Sequence, residues 1–278
     1  MKKYLIPRIR LGGTSFLLHA GYVPAVRFAA ERCEDVALLL LETGRHGEWL
    51  PTIREINEIR KIIIGEGASL HVHLPIDADF DTPEGASTMA DNAVQAVERA
   101  GPLHPHSFVL HVDFPSLHTR QFPKLPGGEL AQERHAWTAE ALARIAARLP
   151  MPEALAIENL EHLPIHFWDA WLDTTPYSRC LDIGHIWKSG GDPVAAFTAW
   201  QSRIRLIHLH GLDTENRDHA SLRLMPPARL DAIMHTLWQS GFAGVINLEV
   251  FNFDDFTASH AALLLSWERY EKTRENAQ

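Results

Sequence analysis

The sequence predicts an α/β chain folded as a single closed (β/α)8 barrel over residues 1–278, on three observations. Eight short apolar runs recur along the chain, helix-like segments lie between them, and no Gly-x-Gly-x-x-Gly follows any run. Near-continuous hydrophobicity over four to eight residues marks strands buried on both faces, as in a parallel sheet. Strands alternating with helices make the sheet parallel, and eight evenly spaced units in 278 residues suit closure into a cylinder. The competing open, doubly wound sheet is weakened by the missing glycine-rich turn.

In chain order, the first two runs are IRLGGTS (9–15) and DVALLLLE (35–42). The segment 52–64 then places Ile53, Ile56, Ile59 and Ile63 on one helical face. Runs three and four are SLHVHLPI (69–76) and SFVLHVDF (107–114), followed by an irregular stretch at 115–128 that reads as a loop over the barrel mouth. The segment 128–149 carries a helical stripe and stops at Pro150, which cannot continue a helix. Runs five and six are LAIENLE (155–161) and SRCLDIGHI (178–186). Helix 192–203 opens on Asp192-Pro193, a cap followed by a favoured first helical residue. Run seven is IRLIHLHG (204–211), helix 227–241 closes on Gly241, and run eight is GVINLEVF (244–251). A last helix beginning at Asp254 covers run eight from outside, and Trp137, Trp168, Trp171 and Trp200 are spaced for helix-to-barrel packing.

Composition narrows the function classes. The net charge is −9 with no basic cluster, which argues against gripping a nucleic-acid duplex through its backbone. Cys33 and Cys180 are the sole cysteines, too few for a disulfide framework or a thiolate zinc knuckle. The segment MKKYLIPRIRLGG has no apolar stretch long enough for a signal peptide, and no membrane span is read, so a cytoplasmic location is the expectation.

In such barrels the active site lies at the C-terminal ends of the strands. Those ends carry Thr14 and Ser15, Glu42, His71 and His73, His111 and Asp113, Glu158, Asp182 and His185, His208 and His210, and Glu249. Side chains two apart on a strand point the same way, so His71 with His73, and His208 with His210, can face the barrel axis. Glu158, Asp182, one of the strand-seven histidines and Glu249 then converge from four successive strands. Carboxylates gathered in a low-dielectric pocket repel, and a divalent cation removes that conflict. Mixed carboxylate and imidazole ligands suit Mn, Zn, Fe or Co. Asp182 therefore reads as a ligand, and His185 as a ligand or its support. Glu42 reads equally as a solvated strand end.

The phrases IENLEH, CLDIGH, RLIHLHG and INLEV resemble the strand ends of the xylose isomerase-like barrels, which include sugar isomerases, epimerases and the endonuclease IV type of phosphodiesterase. That resemblance implies metal ligation by Glu158, Asp182, His208 and Glu249, with His210 the competing choice on strand seven. A longer resemblance, through LGGTSFLLHAGYVPAVRFAAERCEDVALLLLE, HVHLPIDADFDTPEGA, RDHASL and LEVF, is to the cobamide-remodelling phosphodiesterases, the CbiR family. It implies hydrolysis of the phosphate–ribose bond in the nucleotide loop of B12-type cofactors, with an adenosylated cobamide as the small-molecule substrate.

Against the endonuclease IV type, His73, His111, Glu158, Asp182, His185, His208, His219 and Glu249 match metal-site positions. Arg217 and Gly211 stand where those enzymes carry aspartates, so the resemblance implies one or two ions rather than three. In this reading Glu158 or Glu249 serves as general base. Arg217 either pairs with the phosphate or sits in a surface ion pair. The rival functions are a metal-dependent sugar or polyol isomerase or epimerase, and a non-catalytic barrel that binds a corrinoid or nucleotide.

Overall fold

Eight parallel strands pair in chain order and close on themselves, the first against the last. They are β1 (Arg10–Thr14), β2 (Asp35–Leu39), β3 (Ser69–His73), β4 (Phe108–Leu110), β5 (Leu155–Glu158), β6 (Ser178–Asp182), β7 (Ile204–Leu209) and β8 (Val245–Leu248). Between and after them run α1 (Tyr22–Ala30), α2 (Ile53–Glu66), α3 (Pro83–Ala100), α4 (Gly128–Ala146), α5 (Asp169–Leu172), α6 (Ile183–Lys188), α7 (Pro193–Trp200), α8 (Pro227–Ser240) and α9 (Phe253–Glu275). The structure, a computed structural model, describes residues 3–44, 47–118 and 128–276. Among the described residues no helix is long and apolar enough to cross a membrane.

The expected barrel is present, and its interior shows how the strands aim their polar ends. Val109, Ala156, Cys180, Leu206 and Val245 form a small apolar cluster contributed by five strands. The period of two carries the next inward position of each strand to the barrel mouth. Thus His111 follows Val109, Glu158 follows Ala156, Asp182 follows Cys180 and His208 follows Leu206; Glu249 lies two further on from Asn247. The larger apolar cores fill the space between the strands and the surrounding helices. Trp168, Trp171 and Trp200 are buried there as expected, and Trp137 donates its indole N–H to the Phe80 carbonyl.

Several local expectations need correction. The apolar run at 178–186 is not one strand: β6 ends at Asp182 and α6 begins at Ile183, so His185 stands on a helix. Asp182 causes the switch, because its carboxylate accepts the His185 backbone N–H at 2.6 Å and caps the new helix. Strand β4 is also short, which leaves His111 and Asp113 on the segment after it. On α2 the buried face is Ile56, Ile59, Ile62 and Ile63, whereas Ile53 is 62 % exposed. Thr52 and Glu55 form a reciprocal cap there, which fixes the start of the helix and turns Ile53 outward. Helices α1 and α3 had no counterpart in the sequence reading. Of the stretch 115–128, Pro115–Leu117 forms a short 3-10 turn, and 119–127 lies outside the described residues.

Candidate metal centre

Glu158 and Asp182 are the last residues of β5 and β6, His208 lies in register with Asp182 on β7, and Glu249 directly follows β8. All four are buried, and each offers a ligand atom within 4.8 Å of the others. His208 Nδ1 lies 3.1 Å from Glu158 Oε1 and 3.0 Å from Glu249 Oε2. Asn159 locks the edge of this group: its amide donates to the Asp182 carbonyl, and its oxygen accepts the Asp182 N–H, both at 2.9 Å.

A second layer of imidazoles surrounds the carboxylates. His73 Nδ1 donates to the Leu74 carbonyl at 2.8 Å, which leaves Nε2 free to face Glu158 Oε2 at 3.2 Å. His111 Nε2 reaches the same oxygen at 3.1 Å. Glu158 therefore meets His208 with one oxygen and His73 and His111 with the other. On the far side, His185, His210 and His219 form a separate group whose ring nitrogens also lie within 4.8 Å of one another. His185 Nδ1 donates to the Asn159 carbonyl at 3.0 Å, and His219 Nδ1 donates to the Glu249 carbonyl at 3.1 Å.

Strand seven thus splits its two histidines between groups: His208 joins the carboxylates and His210 joins the imidazoles. The His219 backbone N–H donates to His210 Nδ1 at 3.0 Å. The same Nδ1 also lies 3.2 Å from the Gly211 carbonyl, and Nε2 stands 3.3 Å from Asp182 Oδ1.

The electrostatics follow from burial and pairing. Burial pushes Glu158 and Glu249 toward their neutral acids, but His208 outweighs it and holds both well below the usual carboxylate range. Burial alone would lower His208, yet the neighbouring Cys180, Glu249 and Glu158 carry it well above an ordinary imidazole. His185 behaves alike: burial opposes its charge, and Asp182, Glu158 and Glu161 raise it to about 9. His219 ends below the ordinary value because burial prevails there over the pull of Glu249.

These residues fit a divalent cation. Glu158, Asp182 and Glu249 crowd three carboxylates into one buried space, and Asp182 Oδ2 is buried with no hydrogen-bond partner among the described residues. A spare carboxylate oxygen beside an imidazole nitrogen is a donor set for Mn, Zn, Co or Fe.

Other strand-end residues do different work. Thr14 donates to the Val250 carbonyl at 2.9 Å, and Ser15 accepts the Leu39 N–H at 3.1 Å, so both tie strand ends together. Glu42 is exposed. His71 is wholly buried but lies deeper, with Nδ1 on Asp35 Oδ1 at 2.5 Å. Asp113 faces His162 and His118, at 2.6 and 2.8 Å, outside the main group. Arg217 takes the surface reading of its two: 70 % exposed, it pairs with Asp213 and Glu215 at 2.6 and 3.1 Å. Those surface carboxylates occupy its fork in this structure.

Asn159, Asp35 and Asn247 carry roles that the strand-end pattern does not show, and His106, which reads from sequence as a loop or helix residue without a role, joins Asp35. Asn159 and Asn247 sit inside the quoted strand-end phrases, beside the carboxylates that drew attention. Asp35 carried a signal of its own, an acid opening a run of five buried residues.

A family model described as xylose isomerase-like TIM barrel matches residues 33–273. No curated protein matches the chain by sequence. Among solved structures, a D-tagatose 3-epimerase-like protein superposes with a TM-score of 0.73 at 17 % identity, covering 95 % of this chain and 99 % of the other. An L-ribulose 3-epimerase gives 0.70 at 14 % identity, with 97 % and 98 % covered. A D-allulose 3-epimerase from Methylomonas sp. gives 0.64 at 13 % identity, with 99 % of each chain covered. At such identities the likeness carries the fold. These three proteins are named as epimerases or epimerase-like.

Proposed function

The chain belongs to the xylose isomerase-like TIM barrel family, and from that premise we propose that it is a metal-dependent phosphodiesterase acting on the nucleotide loop of an adenosylated cobamide. The observation that carries this reading is Glu158, whose two oxygens face two different imidazole groups, His208 on one side and His73 with His111 on the other. A carboxylate so placed is suited to be shared by two cations, an arrangement that serves displacement at phosphorus. The substrate class rests on the sequence resemblance alone.

In this reading Glu158, Asp182, His208 and Glu249 would hold the principal ion, and His73 and His111 would hold a second one with Glu158. His185 and His219 stand beside them for a further ligand position or for the phosphate. Bound cations supply an activated water and withdraw charge from the phosphoryl oxygens. Glu158 is engaged through both oxygens, so Glu249, engaged by His208 through one, is the general base that takes the water's proton. The water oxygen joins phosphorus, the bond from phosphorus to the ribose oxygen breaks, and that oxygen takes a proton. The products are a corrinoid phosphate and the lower-ligand nucleoside.

The second reading, a sugar epimerase, is supported by the structures reported above and by Glu158 and Glu249, two carboxylates that flank His208 as an acid and base pair would flank a substrate carbon. One experiment separates the two. The metal-loaded protein is incubated anaerobically with an adenosylated cobamide, and in parallel with ketohexoses, and the products are identified by mass and chromatography. Nucleoside release with phosphate left on the corrinoid supports hydrolysis; epimerised ketohexose with intact cobamide supports the rival. A cobamide that binds tightly and stays intact supports the non-catalytic barrel.

A further inference from the structure

Beneath the carboxylates the barrel interior holds a second polar layer that the proposed chemistry does not use. Asp35, wholly buried at the start of β2, has one oxygen on His71 Nδ1 at 2.5 Å and the other on His106 Nε2 at 2.9 Å. Ser69 donates to the same carboxylate, and Arg10 donates to Ser69. The chain Asp35–His71 thus fixes the His71 ring with its Nδ1 proton spent, and leaves Nε2 as an acceptor pointing elsewhere in the interior.

Four buried polar atoms in this region have no hydrogen-bond partner among the described residues: His71 Nε2, His208 Nε2, and the oxygen and nitrogen of the Asn247 carboxamide. They are neighbours. The His71 and His208 rings lie 5.9 Å apart between centroids, and Asn247 is in register beside His208. Gly12 on β1 makes room for the carboxamide: a Cβ there would lie 3.2 Å from Asn247 Oδ1. The Cys180 thiol also faces the His208 ring, and His208 Nε2 still has no partner in hydrogen-bond geometry among the described residues. Native interiors satisfy such groups, with water where the protein does not reach.

The chemistry of the two rings is complementary. When His208 Nδ1 binds a cation, Nε2 must carry the ring hydrogen and needs an acceptor. His71 Nε2 is an acceptor that needs a donor. A metal-bound histidine is commonly oriented by what its second nitrogen meets. We propose that His71 Nε2, His208 Nε2 and the Asn247 carboxamide hold one buried water, and that through it His71, locked by Asp35, is a positioning residue for the ligand His208. The water itself does not depend on the metal reading; its consequence for cation affinity does.

Two measurements decide it. A crystal structure of the wild-type protein at a resolution that shows ordered water should place one water within hydrogen-bond distance of all three side chains. Continuous apolar packing there, or His208 Nε2 turned onto the Cys180 sulfur, overturns the proposal. The second measurement is Zn or Mn affinity by competition with a chelator. His71→Leu should weaken the principal ion about 10- to 100-fold, and His71→Gln, which keeps an acceptor, should recover part of the loss. Unchanged affinity in a folded His71→Leu protein overturns the positioning role. If wild-type protein binds no cation while the water is present, the metal reading fails and the water stands. If His71→Leu does not fold, the wild-type crystal decides.

Discussion

His73 Nε2 stands 3.2 Å from Glu158 Oε2 because its other nitrogen is spent on the neighbouring carbonyl of Leu74. The tautomer of a strand-three histidine is thus set by its own strand so that the free nitrogen meets the carboxylate at the end of strand five. The same device recurs at His185 and His219, whose Nδ1 atoms donate to the carbonyls of Asn159 and Glu249. A backbone carbonyl that fixes one ring nitrogen and frees the other is how metal-binding histidines are prepared.

Glu158 is the residue on which the site converges, and Glu158→Gln keeps its shape while removing its charge. Cation affinity and turnover should each fall by more than about 100-fold. The thermal midpoint of the metal-free protein should fall, because the charge that His208, His73 and His111 face is removed. Asp182→Asn should act in the same direction. Chelator competition and calorimetric scanning check both, and near wild-type affinity in either variant contradicts the assignment.

Removal of metal should silence the enzyme reversibly. Exhaustive chelation is expected to abolish turnover, and Mn, Zn or Co, added back one at a time, to restore it. Full activity in protein shown by elemental analysis to be metal-free contradicts the account.

Cation binding should expel protons. His185 is held up to about 9 and His208 above its ordinary value, so a cation taken by either ring competes with a proton. Histidine ligates through a deprotonated nitrogen. Affinity should therefore rise with pH, by about tenfold per pH unit for each proton released. Titration calorimetry in buffers of different ionisation enthalpy counts those protons, and a buffer-independent enthalpy refutes this.

Gly184 is required by its neighbour. A Cβ at that position would lie 2.0 Å from His210 Cε1 and 2.3 Å from Nδ1. Gly184→Ala should displace the His210 ring and destabilise the protein by about 1–3 kcal/mol through overpacking. Because His208 holds the principal ion in this account, affinity for that ion should fall far less than in Glu158→Gln. A loss as large as that of Glu158→Gln would make His210 the strand-seven ligand.

The pair Asp113 and His162 should make stability pH-dependent outside the main site. Burial disfavours the His162 charge, but hydrogen bonds to Asp113 and Glu161 raise it to about 9. A folded value above the unfolded value of about 6.5 contributes stability that is complete below that pH and fades as pH rises through 9. The difference in thermal midpoint between wild type and His162→Gln should shrink from pH 6 to pH 9.5. A constant difference rules the pair out as the source.

Much of this was legible because period two is rigid. Once eight apolar runs were recognised, the alternation that buries Ala156, Cys180 and Leu206 inside the cylinder necessarily aims Glu158, Asp182 and His208 at its mouth. What escaped depends on contacts that no period encodes. The switch from strand to helix at Asp182 turns on one carboxylate accepting one N–H. The surface engagement of Arg217 turns on Asp213 and Glu215, whose side chains were within reach in sequence but not predictable in direction. Asp35 and His106 meet across 71 positions of sequence, and closure of the barrel is what brings them together.

The most direct test is anomalous diffraction from crystals grown with Mn or Zn. The account predicts one ion held by Glu158, Asp182, His208 and Glu249, and a second held by His73 and His111 with Glu158. Saturating metal that leaves no ion among those four side chains would contradict it.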